Sequence, residues 1–264
     1  MIFLYILLAL TGLFLIIQAI RWGYRWQYWR LPRTGLLTLM YHHIAPQPID
    51  IGQTAFTISP QRFEEQIAQL RQHGFTPITL RDIDQARHSK MAKPQKPVLF
   101  TFDDGYANNF THLFPLLQKH RIPAIIFLIT DLIGKDPLYI TWDQARQMQQ
   151  SGLVEFGSHT ASHARLRQLS DEEILKELQE SKKKIERELG VACRAFCYPF
   201  GSGGFDKRVR PLIFQAGYEF DFSTKQGINA WPWLGKKTIL RTFPRGGETM
   251  RDFYIQITRG KSRF

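Results

Sequence analysis

The sequence is poor in cysteine. Only Cys193 and Cys197 are present, four positions apart. Such a pair excludes the disulfide framework of small secreted domains, and it lacks the second cysteine pair that a structural zinc cluster requires. Cysteine usage therefore leaves the cellular compartment open.

Acidic residues are outnumbered as well. The chain has 23 Asp and Glu against 35 Lys and Arg, which gives a net charge of +12. A basic excess suits nucleic acid, anionic lipid or simple solubility. The basic residues are spread along the chain without an aromatic-interleaved motif, so we predict no nucleic-acid partner. Repeats and low-complexity segments are also missing, and 44% hydrophobic residues suffice for one large domain or two small ones.

Charged side chains are missing altogether from Ile2 to Ile20. About 20 apolar residues span a bilayer as a helix, and the run lacks the basic start, short apolar core and cleavage site of a signal peptide. We predict a transmembrane anchor over residues 1–21 and a basic, aromatic juxtamembrane linker over residues 22–35. An interfacial set of aromatic and basic residues begins at the end of the anchor and continues into the linker: Arg21, Trp22, Tyr24, Arg25, Trp26, Tyr28, Trp29 and Arg30.

The charge distribution around this helix bears on its orientation. Arginines follow the helix and no Lys or Arg precedes it, so the positive-inside rule favours a cytoplasmic C-terminal domain. An exported substrate would require the C-terminal domain to lie on the outer face of the membrane. Both orientations stay open at this point.

Residues 36–264 alternate apolar runs with amphipathic stretches. The apolar runs predict the strands LLTLMYH, PVLFTF, PAIIFLIT, LVEFG, AFCYPF and YEFDF. Capping and periodicity predict helices at 59–74, 141–152, 170–189 and 207–216. Strands that alternate with helices indicate an α/β fold with a parallel sheet. A barrel is compatible with this pattern, and its site would lie at the carboxyl ends of the strands.

Polar motifs follow three of the predicted strands. TFDDGY places Asp103 and Asp104 at one strand end, where a metal ligand and a free carboxylate can lie side by side. SHTASH contains His159 and His163, whose spacing aims both imidazoles one way if the segment forms a helical turn. Two histidines and one aspartate leave a coordination position open, as in catalytic zinc sites. YPFG, at 198–201, can aim a backbone N–H into a pocket, although an ordinary turn explains it equally well.

The order of these motifs resembles the polysaccharide deacetylases with a NodB homology domain, carbohydrate esterase family four. The segments YHHI and GFTPITL are similar to the branch that deacetylates poly-β-1,6-N-acetylglucosamine in biofilm matrix assembly. The resemblance implies a distorted (β/α) barrel over residues 36–264. It also implies one divalent metal, by default zinc, with cobalt, nickel or iron as alternatives, held by Asp104, His159 and His163. Asp103 matches the general base that activates water, and the backbone N–H of Phe200 matches an oxyanion donor.

The chain departs from the family pattern at two positions. Many members have an arginine where this sequence has Cys197, and most carry a C-terminal histidine that protonates the leaving amine. No histidine follows His163 here. Arg241 does not deprotonate and cannot be that acid, but it can supply the positive partner of Asp103. We predict His42 as the general acid, with His43 as the alternative.

Several aromatic residues are candidate substrate contacts. Trp231 and Trp233 suit either a sugar-stacking wall or loop packing around Pro232. Tyr106 and Asn108 are expected to shape the pocket. The third motif adds Tyr198, Pro199 and Phe200 as substrate or oxyanion residues.

These observations favour a membrane-anchored, metal-dependent N-deacetylase of a GlcNAc-containing polysaccharide such as poly-β-1,6-GlcNAc, chitin or peptidoglycan. The catalytic domain would be extracytoplasmic, with membrane lipid and polysaccharide synthesis or export machinery as partners. One alternative is a deacylase of a lipid- or nucleotide-linked amino sugar on the cytoplasmic face. Another is a weakly active or inactive polysaccharide-binding subunit.

Overall fold

The apolar N-terminal run forms one long helix. In the computed structural model, which describes residues 1–26, 31–48, 51–88 and 94–261, helix α1 covers Ile2–Trp26. Its stretch Ile2–Gly23 is long and apolar enough to cross a membrane, and none of its most apolar part is buried inside the protein. The helix continues beyond residue 21, the predicted end of the anchor. Residues 27–30 of the predicted linker lie outside the described part of the chain.

Parallel strands form the centre of the remaining chain. They are β1 Leu37–Tyr41, β2 His43–Ile44, β3 Thr57–Ile58, β4 Thr76–Pro77, β5 Pro97–Phe102, β6 Ala124–Leu128, β7 Val154–Ser158, β8 Ala195–Cys197 and β9 Phe220–Phe222. The main sheet has the order β1-β5-β6-β7-β8-β9, with β4 beside the start of β5, and β2 and β3 form a separate pair. The predicted α/β class is confirmed. The strand predicted over AFCYPF stops at Cys197, because Pro199 has no N–H for the sheet.

The sheet curls into a barrel that a short extended segment completes. Parallel bridges join Phe222 of β9 to Ile239 and Leu39 of β1 to Thr242. The segment 239–242 therefore lies between the two edge strands. It brings residues from the C-terminal part of the chain against the first strand.

Helices cover the outer face of the sheet. They are α2 Pro60–Gln72, α3 Leu80–His88, α4 Phe114–His120, α5 Trp142–Gln150, α6 Asp171–Leu189, α7 Val209–Gln215 and α8 Met250–Arg259. The predicted capping boxes are present at Thr141 with Gln144 and at Ser170 with Glu173. Each satisfies backbone N–H groups that have no partner within the helix.

Strand alternation separates two hydrophobic layers. On β5, Phe100 and Phe102 face the helices, whereas Leu99 belongs to the layer inside the curled sheet. Thr101 and Asp103 share the parity of Leu99, because successive side chains of a strand point to opposite faces. This parity directs Asp103 into the interior of the barrel, at its carboxyl-terminal end.

Candidate active site

The two adjacent aspartates diverge immediately after β5. The backbone N–H of Asp103 still donates to the carbonyl of Tyr41, at 2.9 Å, and so continues the sheet. Asp104 then adopts a left-handed conformation with φ of 73°. Such a conformation is uncommon for a residue with a side chain. The turn gives the two carboxylates separate neighbours.

Asp103 forms a buried, two-pronged ion pair with Arg241. The two guanidinium nitrogens Nη1 and Nη2 lie 2.7 Å from Oδ1 and Oδ2, and both side chains are almost fully buried. Burial opposes ionisation of Asp103, but the charge and hydrogen bonds of Arg241 outweigh it and hold the pKa of the carboxyl well below its usual range. Asp103 is therefore a carboxylate throughout the neutral pH range.

Cys197 makes room for this arginine. The guanidinium Nη2 lies 3.0 Å from the Cys197 sulfur, and Nε donates to the carbonyl of Ser223 at 2.8 Å. The thiol is fully buried and lies 3.7 Å from both oxygens of Asp103. A small side chain at this strand position leaves space that the guanidinium of Arg241 enters from segment 239–242.

Asp104 and the two histidines of SHTASH converge. The Nε2 atoms of His159 and His163 lie 3.4 and 3.5 Å from Oδ1 of Asp104. Among the described residues, this oxygen is buried without a hydrogen-bond partner. The Nδ1 atom of His159 lies 2.8 Å from the carbonyl of Cys197 and donates to it, so its Nε2 presents a lone pair towards Asp104.

The protonation states of this group suit a cation. Burial lowers the pKa of His159 to about 3 and also lowers that of His163, so both imidazoles are neutral at pH 7. Burial and the charge of Asp103 raise the pKa of Asp104 to about 7. The ligand atoms of Asp104, His159 and His163 all lie within 4.8 Å of one another. The residues therefore fit a divalent metal with nitrogen and oxygen ligands.

The segment that carries the histidines is a loop, so the helical turn considered for it does not form. Residues 159–165 contain no helix, and both Thr160 and His163 have positive φ angles, of 66° and 65°. These two backbone reversals bring the imidazole of His163 towards Asp104, beside that of His159. The spacing of the histidines alone contains no sign of this route.

His42 lies beside Asp103, whereas His43 does not. The Nε2 atom of His42 is 4.0 Å from Oδ2 of Asp103, and its ring packs against Phe56 and Phe243. Burial lowers the pKa of His42 to about 4. His43 points to the other side of the chain, as strand alternation requires; its Nδ1 lies 2.9 Å from the side-chain amide of Asn108.

The third motif contributes less to the site than predicted. Tyr198 is fully buried and its hydroxyl donates to Asp221 at 3.1 Å, so its side chain is turned away from the two aspartates and the histidines. Pro199 is buried beside it. Phe200 has φ of 55°, and its exposed ring lies against His163, with a centroid separation of 4.4 Å.

Trp233 is not a wall of this site. It is 4% exposed, stacks on Phe220 and donates from its indole to the carbonyl of Lys237. Phe220 begins β9, and the site lies at the other ends of the strands. The sequence pattern NAWPW suits both loop packing and sugar stacking, and the structure shows packing.

Two residues near the site were not anticipated. Tyr139 pairs with Tyr106 across an antiparallel bridge, with stacked rings 5.1 Å apart. The guanidinium of Arg165 lies 3.7 Å above the ring of Phe200. Neither has a strand-end motif around it, so only the fold places them on the rim.

Comparison with known proteins identifies the family. The model of the polysaccharide deacetylase family matches residues 90–220, which include both aspartates, both histidines and YPFG. The chain contains a polysaccharide deacetylase domain. The predicted resemblance is confirmed by this match.

Named enzymes are among the proteins similar in sequence to this polysaccharide deacetylase domain. The poly-beta-1,6-N-acetyl-D-glucosamine N-deacetylase of Staphylococcus aureus (strain MSSA476) is 28% identical over 184 residues, 65% of this chain and 62% of that protein. The match thus spans less than two thirds of the relative's length.

Solved structures share the fold over most of the chain. A polysaccharide deacetylase from Bacillus cereus has a TM-score of 0.73 at 28% identity and covers 86% of this chain and 70% of its own. IcaB from Ammonifex degensii has a TM-score of 0.68 at 26% identity, with 80% and 94% covered. These likenesses confirm the predicted NodB-type architecture.

Proposed function

We propose that this protein hydrolyses N-acetyl groups from a GlcNAc-containing polysaccharide, poly-β-1,6-GlcNAc in the first place, and releases acetate. The observation that carries the proposal is the convergence of Asp104, His159 and His163 beside the ionised Asp103. The name of the Staphylococcus relative supports the polymer.

Asp104, His159 and His163 would hold one divalent metal. Zinc suits two imidazoles and a carboxylate, and cobalt, nickel or iron accept the same ligands. Such an ion polarises an amide carbonyl and lowers the pKa of water towards 7. The features that fit it are the Oδ1 of Asp104, which has no hydrogen-bond partner among the described residues, and the lone pair on Nε2 of His159.

The chain's own residues would supply the proton transfers. Asp103 removes a proton from the water that attacks the acetamide carbon, and Arg241 keeps this carboxylate ionised and oriented. The C–N bond then breaks to leave acetate and a glucosamine amine. The amine nitrogen needs the proton that water lost. His42, 4.0 Å from Asp103, is placed to receive it and deliver it.

Phe200 would assist at the carbonyl. Its left-handed backbone places the motif loop next to His163, and its N–H is the proposed donor to the oxyanion. Tyr106 and Tyr139 would border the sugar on the other side.

Helix α1 would anchor the domain in the membrane, with the catalytic domain on the outer face beside the polymer's synthesis or export machinery. Its length and lack of burial support an anchor. The arginines that follow its apolar run favour the cytoplasmic face instead. In that orientation the substrate would be a lipid- or nucleotide-linked amino sugar.

The inactive-subunit alternative is weakened by the structure. It drew on Cys197 in place of an arginine and on the missing C-terminal histidine. Arg241 occupies the space beside Cys197 and pairs with Asp103. His42 lies 4.0 Å from the same carboxylate.

Acetate release tests the proposal directly. The full chain in detergent is incubated with β-1,6- and β-1,4-linked GlcNAc oligomers and with a nucleotide-linked GlcNAc, with and without a chelator. We expect acetate from the polymers, loss with chelator and recovery with zinc. A His159→Ala, His163→Ala double variant should lose both metal and activity. Acetate release that chelator leaves untouched, or full metal occupancy in the double variant, would contradict the proposal.

A further inference from the structure

The loop that carries the two candidate histidine ligands is strained. Thr160 and His163 both lie in the left-handed region, with φ of 66° and 65°. Such a conformation is unfavourable for a residue with a side chain, and threonine is also branched at Cβ. Neighbouring groups must therefore impose this loop conformation.

Glu177 of helix α6 accepts three hydrogen bonds from the stretch between these two residues. The backbone N–H groups of Ala161 and Ser162 donate to its Oε2, at 2.9 and 3.0 Å. The Ser162 hydroxyl donates to Oε1 at 2.7 Å. Hydrogen bonds to a carboxylate are among the stronger ones in proteins, so one side chain fixes the middle of the loop.

The same face of α6 also holds the start of the loop. Ser181, one helical turn after Glu177, lies 2.8 Å from the hydroxyl of Ser158. That hydroxyl accepts the backbone N–H of Thr160 at 3.1 Å. Residues four apart share a helix face, so α6 holds the loop at two successive points. The helix is itself fixed by its buried residues Ile174, Leu178, Ile185 and Leu189.

The two histidines depend on this support to different degrees. His159 directly follows β7, and its ring has a separate hydrogen bond to the carbonyl of Cys197. His163 lies beyond the supported stretch and is only half-buried, and its ring contacts Phe200. A shift of residues 160–162 would thus move His163 far more than His159.

We propose that Glu177 is a positioning residue for the metal site: it holds the loop so that His163 stays within reach of Asp104. This inference rests on the proposed function, because it assumes that these residues bind a metal. It adds a residue that contacts neither metal nor substrate. Groups that orient metal ligands typically contribute a factor of roughly 10 to 100 to metal affinity.

The test is the zinc dissociation constant of the full chain in detergent, measured by competition with a chromophoric chelator. Glu177→Ala should weaken zinc binding about 10- to 100-fold. Glu177→Gln keeps one acceptor oxygen, so its zinc affinity should lie between those of the wild type and Glu177→Ala. This variant also provides the test if Glu177→Ala does not fold. Glu180→Ala, exposed on the same helix, should bind zinc like the wild type.

A double-mutant cycle separates positioning from general stability. If Glu177 acts through His163, Glu177→Ala should weaken zinc binding no further in a His163→Ala background. In a His159→Ala background it should still weaken binding. Equal effects in both backgrounds, or a lowered melting temperature of the metal-free chain with unchanged zinc affinity, would overturn the inference alone. A wild-type chain that binds no zinc would overturn the proposed metal site as well.

Discussion

Asp103 and Asp104 are neighbours in sequence with opposite electrostatic surroundings. The buried guanidinium of Arg241 faces Asp103 and holds the pKa of the Asp103 carboxyl well below its usual range. Asp104 is buried near the charge of Asp103, and its pKa rises to about 7. The separation of the two pKa values follows from one turn in the backbone, and it agrees with the different roles proposed for the two carboxylates.

Substitution of asparagine at these two positions should therefore impair the enzyme in different ways. Asp103→Asn keeps the shape but accepts no proton, so zinc binding should persist while kcat falls roughly 10²–10⁴-fold. Asp104→Asn should weaken zinc binding itself, and excess zinc should restore part of the activity. Metal titration together with acetate release measures both effects. Equal zinc affinities in the two variants would contradict the assignment.

The partner of Asp103 should control the acidic limb of the pH–rate profile. Arg241→Met removes the positive charge that favours the carboxylate, so the pKa of Asp103 should rise. Less of the base is then ionised at a given acidic pH, and the acidic limb of kcat/KM should move to higher pH. The profile is measured at saturating zinc.

Arg241→Lys is the matched control, because it keeps one positive charge but loses the two-pronged geometry. It should shift the acidic limb less than Arg241→Met does. A limb that stays in place in Arg241→Met would show that Arg241 does not set the base.

Among the elements, the turn after segment 239–242 supports His42 indirectly. A Cβ atom on Gly246 would lie 2.2 and 2.3 Å from the backbone oxygens of Thr54 and Thr57. Those residues belong to the stretch that presents Phe56 to the ring of His42. Backbone atoms cannot move aside as a flexible side chain can, so this contact fixes the stretch against the barrel.

Gly246→Ala should consequently destabilise the fold by about 1–3 kcal/mol, the usual cost of overpacking, and lower kcat by displacing Phe56 and His42. Gly247→Ala is the neighbouring control, since nothing lies within 4 Å of its added Cβ. Thermal unfolding and acetate release are compared for the pair. Equal melting temperatures for the two variants would refute the close approach.

For the whole molecule, the open question is how helix α1 is used. If it is an anchor, the chain recovered from membranes should have the mass of the complete sequence. A mass that lacks the first twenty or so residues would indicate a cleaved signal peptide. Protease treatment of intact cells then assigns the face: digestion of the catalytic domain would support the outer face, and protection the cytoplasmic one.

Much of this protein follows from local sequence. Apolar runs and capping residues predict the main strands and the helices α2, α5, α6 and α7, because alternation and capping act over a few residues. Helices α3, α4 and α8 and the short strands β2, β3 and β4 were not predicted. The motif residues Asp103, Asp104, His159 and His163 could be selected from sequence because each follows a strand that ends at the same edge of the sheet.

Only the tertiary structure decided which distant residues meet at that edge. Arg241 reaches Asp103 across 138 positions because the segment 239–242 completes the curled sheet. Trp233 is buried and Tyr198 turns inward, although their sequence contexts suited a sugar site. In the sequence, Glu177 is one of several acidic residues on an amphipathic helix. Only the fold shows that the SHTASH loop donates hydrogen bonds to it. The local sequence pattern specifies which face of its own helix or strand a residue occupies. Which distant residue packs against that face depends on strand order and barrel closure, and a short segment of sequence does not contain this information.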